Sequence, residues 1–250
     1  MLTHEFGKAD DQVPGSSVLE PGVATAVPGG KVMTKASVTL STLVLLALVV
    51  IGAVLGWQNA ESVFRWWWVI SIGLLALVVL AVFVPRLAPI AGVTYSVVSG
   101  ALVGAVSKEY ETFYDGIVFI ALTATVAVFV AALILYVTGV VKVTRKVRAT
   151  FVVAALGISL FYLATWLLLL FGIDVPLVTG TGPGAIAFSL FVIVILSLVL
   201  ILDFDTIERG IAVAAPQELS WFAAFGLITS IVWIYIEILR LLAIMARRSQ

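Results

Sequence analysis

The chain of 250 residues has no cysteine, a single histidine and few charged residues. The lack of cysteine excludes disulfide bonds, iron–sulfur clusters and thiol catalysis. Because the one histidine, His4, lies in a polar N-terminal stretch, histidine-ligated zinc or haem within the apolar segments is excluded as well. Charged residues make up 11% of the chain and the formal net charge is zero, which gives no indication of nucleic-acid binding.

Apolar residues, in contrast, are in large excess. They make up 62% of the chain and the mean hydropathy is +1.22, whereas a soluble domain is usually about 45–50% apolar. This composition is typical of a polytopic membrane protein. Residues 1–35 differ, because they contain glycine pairs, prolines and scattered charges without periodicity. They predict a disordered tail, followed by a transmembrane domain over residues 36–250.

Seven apolar runs follow the tail, each near the roughly 20 residues that a helix needs to cross the hydrocarbon core. The runs do not alternate polar with apolar residues, so they predict helices rather than the strands of a membrane barrel. We therefore expect an all-α membrane protein, a bundle of seven transmembrane helices. The predicted spans are Ser37–Trp57, Trp66–Val84, Pro89–Val106, Gly116–Val141, Thr150–Phe171, Gly184–Leu202 and Leu219–Met245.

The distribution of lysine and arginine predicts the orientation of these spans. The loop after the fourth span carries the densest basic cluster, so the positive-inside rule predicts that this loop and the N-terminus are cytoplasmic. The cluster consists of Lys142, Arg145, Lys146 and Arg148. Seven full crossings would place Arg247 and Arg248 outside. Either the rule tolerates these two charges or the seventh segment does not cross completely.

The third span has a small residue at every fourth position. These residues are Ala88, Gly92, Ser96, Gly100 and Gly104. On a helix they form one continuous face, and Gly100 with Gly104 makes a GxxxG pair. Two interpretations stay open for this face. It is either a groove for close helix packing or a thin helix that leaves room for a water path.

Acidic residues in and beside the last two spans carry most of the functional information, because carboxylates at membrane depth are costly and mark ion or proton pathways. Asp203 and Asp205 close the sixth span, and Asp203 directly follows an apolar stretch. Glu237 lies within the seventh span and shares a helix face with Ser230 and Arg240. Arg240 follows it at i+3 and can pair with it. Glu237 either faces the bundle interior or pairs structurally near the helix end.

Asp203 and Glu237 together predict a pH-sensitive site. Protonated carboxyl groups can hydrogen-bond and hold helices together. Ionised carboxylates repel each other, admit water and offer the hard oxygen ligands that calcium prefers. Carboxyl oxygens within about 6 Å of each other, the range of strong mutual effects on titration, would support this interpretation.

Several motifs resemble the Bax inhibitor-1 family of membrane proteins. They are L-D-F-D-T-I-E-R-G, W-F-A-A-F-G-L and W-I-Y-I-E-I-L-R-L-L in the last two spans. Two further segments, S-G-A-L-V-G-A-V-S-K-E-Y-E and L-Y-V-T-G-V-V-K-V-T-R-K-V-R, resemble its bacterial branch in actinobacteria. The resemblance covers about residues 31–245. It implies seven helices with the last enclosed by the other six, and a proton-sensitive calcium leak in a bacterial inner membrane.

The resemblance also implies an acidic pair, with one aspartate at the end of the sixth span and one in the seventh. Asp203 matches the first. The chain has Ser230 where the second is expected, and Glu237 follows seven residues later on the same face. Either Glu237 replaces the missing partner with altered geometry or the pH gate is absent. Arg86, near the start of the third span, loosely resembles the family's basic latch residue.

The sequence thus predicts a pH-sensitive cation leak channel or transporter in the cell membrane, with Asp203 and Glu237 as sensor and calcium ligands and with no resident cofactor. The alternative is a non-conducting membrane protein that regulates a membrane protease or a stress response, with the tail and the basic loop as docking surfaces for a membrane partner. No enzymatic activity is expected, since the G-x-G-D motif of intramembrane aspartyl proteases is missing. A retinal Schiff base is excluded because no lysine follows Lys146. The oligomeric state stays open.

Overall fold

The computed structural model describes residues 31–248, and within this range the fold is all-α. Each of the seven apolar runs forms a helix, as predicted. Short helices and a 3-10 turn (Pro85–Leu87) lie between them. The helices are α1 (Lys35–Gln58), α2 (Ala60–Arg65), α3 (Trp67–Phe83), α4 (Ala88–Phe113), α5 (Ile117–Val137), α6 (Arg145–Leu170), α7 (Pro176–Thr179), α8 (Pro183–Ala212) and α9 (Leu219–Arg248).

Six of these helices are long and apolar enough to cross a membrane, namely α1, α4 with its preceding 3-10 turn, α5, α6, α8 and α9. The seventh, α3, is apolar but has only 17 residues. Among the six, α9 is the most buried, and it packs against α1, α4, α5 and α8. The helix that carries Glu237 and Ser230 therefore contacts most of the other long helices.

The sixth predicted span ends much later than expected. We placed its end at Leu202, but α8 continues through Asp203 and Asp205 to Ala212. The apolar run stops at Leu202, but the helix continues. The following D-F-D-T-I-E-R segment contains an i,i+4 Asp205–Arg209 pair, which supports a helix. The aspartates thus lie inside a helix rather than at its end, and their side chains have fixed directions.

The end of the predicted tail is structured. Residues 31–34 run beside the connection between α8 and α9, where the amide of Met33 donates to the carbonyl of Ala215 at 2.7 Å. The Met33 side chain is buried and reaches Gly210 of α8. These residues, which we assigned to the tail, therefore belong to the structured part. The remainder of the predicted tail, residues 1–30, lies outside the described residues.

Helices α1 and α4 approach each other at glycines. A Cβ atom on Gly104 would lie 1.9 Å from the carbonyl oxygen of Ala53, and one on Gly56 would lie 1.9 Å from that of Ala101. Gly52 and Gly100 make similarly close approaches. This geometry favours the packing interpretation of Gly100 and Gly104 over a water path. It also reveals a second GxxxG pair, Gly52–Gly56, that the sequence analysis overlooked although its spacing is plain.

The other small residues of α4 lie nearer the start of this helix and are also buried. A Cβ atom on Gly92 would be in ordinary contact with the side chains of Leu45 and Phe225. The hydroxyl of Ser96 is buried and has no hydrogen-bond partner among the described residues. The small face of α4 therefore meets α1 backbone at one end and large apolar side chains at the other.

Candidate functional site

Asp203 and Ser230 join α8 to α9. The two helices form a hairpin through residues 213–218, and the hydroxyl of Ser230 donates to Oδ2 of Asp203 at 2.6 Å. Gly226, one turn before Ser230, lies beside the carboxyl group, and a Cβ atom there would be in ordinary contact with Oδ1 at 3.5 Å. No arginine or lysine of residues 31–248 reaches Asp203. Its carboxyl group therefore has a neutral hydrogen-bond partner and no cationic one.

Asp205 has a different environment, although it lies only two residues away. It is bound by the guanidinium groups of Arg148 at the start of α6 and of Arg209, whose Nε lies 2.7 Å from Oδ2. We call these three residues the α6–α8 clamp. Beside it, the hydroxyl of Tyr136 in α5 donates to Glu208. The acidic end of α8 is thus tied to α6 by a cation and to α5 by a neutral hydroxyl.

Glu237 is buried and paired. Its side chain is 6% exposed, and Nη1 of Arg240 lies 3.0 Å from Oε1. The hydroxyl of Tyr162 in α6 donates to Oε2 at 2.6 Å, and Arg240 also donates to this hydroxyl. Arg240 further donates to the carbonyl of Leu177 at 2.8 Å, and its guanidinium lies 5.8 Å from the ring centre of Phe188. The expected i,i+3 pair is present, and it favours the structural interpretation of Glu237.

The structure does not bring Asp203 and Glu237 together, so the convergence that would support a sensor of two acids is not seen. Ser230 lies opposite Asp203, and the seven residues from Ser230 to Glu237 correspond to about 10 Å along α9. Asp203 accepts from Ser230 of α9, whereas Glu237 contacts Arg240 of its own helix and Tyr162 of α6. Glu237 therefore does not pair with Asp203 in this arrangement.

The predicted calcium ligands do not form one site either. Within residues 31–248, no three side chains among histidine, cysteine, aspartate and glutamate come together as a group that could hold a metal ion. Both oxygens of Glu237 are taken by Arg240 and Tyr162, which leaves the carboxylate poorly suited to bind a cation. Asp203 is the other predicted ligand. No arginine or lysine side chain of residues 31–248 contacts its carboxyl oxygens.

Arg86, the latch candidate, lies in the 3-10 turn before α4 and is exposed. In the described part of the chain, no acidic side chain pairs with it. Arg148 is the basic residue that contacts the acidic end of α8 from another helix. The sequence analysis used it only to predict the orientation of the spans. Tyr162 was missed as well. Neither has a local sequence signal, because their partners lie 57 and 75 positions away.

The clamp gives a stability prediction. Replacing Arg148 by glutamine should lower the free energy of unfolding by about 1 kcal/mol, since its side chain is 37% exposed and solvent screens the pair. Replacing Lys146, which is exposed and has no ion pair in the described structure, should leave it unchanged. Unfolding in mixed micelles measures both variants. Equal stabilities of the two variants would show that the clamp does not hold α6 to α8.

The sequence was also compared with known proteins. The model of the family described as "Bax inhibitor 1 like" matches residues 3–247. This match begins well before residue 31, so it includes most of the N-terminal stretch that the motif resemblance left unmatched. No curated protein and no solved structure matches the chain significantly.

Proposed function

Because the chain belongs to the Bax inhibitor 1-like family, we propose that it is a pH-sensitive leak channel or transporter for cations, with calcium as the ion and Asp203 as the proton sensor. The family makes it a multi-pass membrane protein, and six helices have the length and composition to cross a bilayer. We propose α3 as the seventh crossing, since 17 residues span about 26 Å of the roughly 30 Å hydrocarbon core. The bundle then encloses α9.

The orientation that we propose places the N-terminus and the loop before α6 in the cytoplasm. The basic residues of this loop support that orientation through the positive-inside rule. In this arrangement the acidic end of α8 lies on the cytoplasmic side of the membrane. Protons and cations would then reach Asp203 from the cytoplasm.

One observation carries the proposal: among the acids of α8 and α9, Asp203 and Glu208 lack an arginine partner within the described structure, and Glu208 is exposed, so water compensates its charge. Asp205 is bound by Arg148 and Arg209, and Glu237 is bound by Arg240. A nearby arginine favours the ionised form of a carboxylate, so a paired carboxylate stays ionised over a wider pH range. A carboxylate that only accepts from Ser230 has no such compensation when it is ionised. Asp203 is therefore the group whose charge can change.

The contact with Ser230 supplies a mechanism. When Asp203 is protonated, the bond to Ser230 joins two neutral groups and holds α8 against α9. When Asp203 is ionised, an unpaired charge lies among packed helices, which is unfavourable unless water or a cation approaches it. The helices then separate enough to admit them. Carboxylate and hydroxyl oxygens are hard ligands that suit calcium, so the same two residues would receive the ion.

The proposal predicts the pH dependence of calcium flux into liposomes that contain the purified protein. Flux should rise as the pH is raised through neutrality, by about tenfold, which requires a bias of only about 1.4 kcal/mol between two conformations. Replacing Asp203 by asparagine should remove the dependence on pH, because the group can no longer ionise. Asp174→Asn is the matched control, since Asp174 is exposed in the connection before α7, and this variant should behave as the unmodified protein.

A second variant separates sensing from helix linkage. Replacing Ser230 by alanine keeps the carboxyl group but removes the hydroxyl that joins it to α9. We expect this variant to leak more at acid pH than the unmodified protein. Flux no greater than that of protein-free liposomes at every pH would contradict the proposal. So would an unchanged pH dependence in the Asp203→Asn variant.

If liposomes with the protein show no calcium flux, the alternative function is that of a non-conducting interaction protein. The structure gives that alternative little specific support. Its expected docking surfaces are the tail, of which residues 1–30 lie outside the described residues, and the basic loop, in which Arg148 is engaged within the molecule by Asp205. Only the other basic residues of the loop are free to meet a partner through their charges. We propose no enzymatic activity for the chain.

A further inference from the structure

A lateral groove of about 480 Å³ lies between α1 and α5. Helices α1 and α5 form its walls, and α4 and α9 form its floor. Its lining is almost entirely apolar. We call it the α1–α5 groove and define it by Leu46, Val50, Val54, Leu122, Val126 and Ile231, which line it together with their neighbours.

Polar side chains lie at one end of the α1–α5 groove. Trp57 and Gln58, the last residues of α1, line this end together with Ser107 and Tyr235. The hydroxyls of Ser107 and Tyr235 are hydrogen-bonded to each other at 2.7 Å and are both buried, so they satisfy each other. The groove is therefore apolar along most of its length, and a tryptophan and an amide flank its polar end.

The residues beside the groove are also apolar and exposed. Ile51 on α1 is 53% exposed, and Ile120 and Phe119 on α5 are 53% and 75% exposed. In a membrane-spanning bundle such surfaces face acyl chains, from which water is absent. An empty groove would leave its lining without contacts on one side, which is unfavourable. Something apolar must fill it.

The dimensions and surroundings of the groove indicate its occupant. From Leu46 to Gln58, α1 rises about 18 Å, so the volume of about 480 Å³ corresponds to a mean cross-section of roughly 27 Å². An extended hydrocarbon chain fits along a groove of this length and volume. The exposed apolar residues of α1 and α5 that flank the groove place it among the acyl chains of the bilayer.

We propose that the α1–α5 groove binds one acyl chain of a bilayer lipid, with the lipid head group at the end formed by Trp57 and Gln58. Tryptophan is enriched at the membrane–water interface, where head groups lie. The amide of Gln58 can both donate to and accept from a polar head group. The volume also lies within the range of about 300–1,000 Å³ that is usual for binding pockets.

A photoactivatable lipid tests this assignment. The full-length protein is reconstituted in phosphatidylcholine vesicles with a trace of phosphatidylcholine that carries a diazirine on one acyl chain. After illumination, mass spectrometry locates the labelled residues. We expect the label to concentrate on residues that line the groove, such as Val50 and Leu122, over equally exposed residues beside it, such as Ile51 and Ile120.

Paired variants give the decisive comparison. Val50→Trp with Leu122→Trp places two large side chains in the groove, whereas Ile51→Trp with Ile120→Trp places them on neighbouring surface of matched exposure. Labelling of the groove should fall about tenfold in the variant with both groove substitutions, which is the change expected from losing the burial of about two methylene groups. It should stay constant in the variant with both surface substitutions. Even labelling around α1 and α5, or groove residues that stay unlabelled while Ile51 and Ile120 are labelled, would overturn the assignment. The readout needs no ion flux, so it does not depend on the proposed function.

Discussion

Replacing Arg240 by methionine should lower the free energy of unfolding by about 3–5 kcal/mol, because it leaves a buried carboxylate without its cation. Glu237 and Arg240 are 6% and 13% exposed, so solvent cannot replace the lost partner. The substitution also removes the donor to the Leu177 carbonyl and the guanidinium that lies 5.7 Å from the ring centre of Tyr162. Unfolding by detergent titration in mixed micelles measures the loss.

A double substitution distinguishes an unpaired charge from lost packing. Glu237→Gln combined with Arg240→Met removes both charges but keeps an acceptor for the hydroxyl of Tyr162. The double variant should therefore be more stable than Arg240→Met alone. If it is less stable, the pair does not act through charge compensation, and the structural interpretation of Glu237 loses its support.

The glycine contact between α1 and α4 predicts a second large effect. Replacing Gly104 by alanine should destabilise the protein by about 3 kcal/mol, the upper end for overpacking. The added Cβ atom would lie 1.9 Å from the carbonyl oxygen of Ala53 and within 2.8 Å of two further backbone atoms. Backbone cannot rotate away as a side chain can, so α1 and α4 would have to separate.

Gly157→Ala is the control for this prediction. Gly157 lies within α6, and a Cβ atom there would meet nothing within 4 Å. Alanine also favours a helix over glycine, by about 0.5–1 kcal/mol. The Gly157→Ala variant should therefore be as stable as the unmodified protein or slightly more stable. Similar stabilities of the Gly104 and Gly157 variants in micelle unfolding would show that α1 and α4 are not in close backbone contact.

Local sequence patterns predicted those features that depend on one helix. The apolar runs located the six long helices and the shorter α3, and the i,i+3 spacing of Glu237 and Arg240 predicted their pair. The spacing of Asp205 and Arg209 would have predicted the second pair. These features depend only on the spacing of residues along one helix, and that spacing can be read from the sequence.

Features that depend on the register between helices could not be obtained in this way. Whether Asp203 meets Ser230 or Glu237 is decided by how α8 slides along α9, and no residue pattern states that offset. The contact of Arg148 with Asp205 needs α6 and α8 to lie side by side in the right register. The α1–α5 groove needs four helices in place, since its lining comes from α1, α4, α5 and α9. Each of these features could be found only in the three-dimensional structure.

The register places Asp203, Asp205 and Glu237 in three different environments, and this separation changes the functional hypothesis. The sequence suggested a sensor made of two carboxyl groups. The structure gives Asp205 and Glu237 arginine partners and leaves Asp203 with the hydroxyl of Ser230. In the proposed function the sensor therefore consists of one carboxyl group, and the proposed response to pH comes from an unpaired charge rather than from repulsion between two acids.

Infrared difference spectroscopy of the reconstituted protein tests that claim most directly, because a protonated carboxyl group has its own C=O band. The account predicts a carboxylic acid band that grows as the pH is lowered across the range in which calcium flux falls. The band should be absent from the Asp203→Asn variant and unchanged in Asp205→Asn and Glu237→Gln. A band that persists in Asp203→Asn, or that is lost in Glu237→Gln instead, would contradict it.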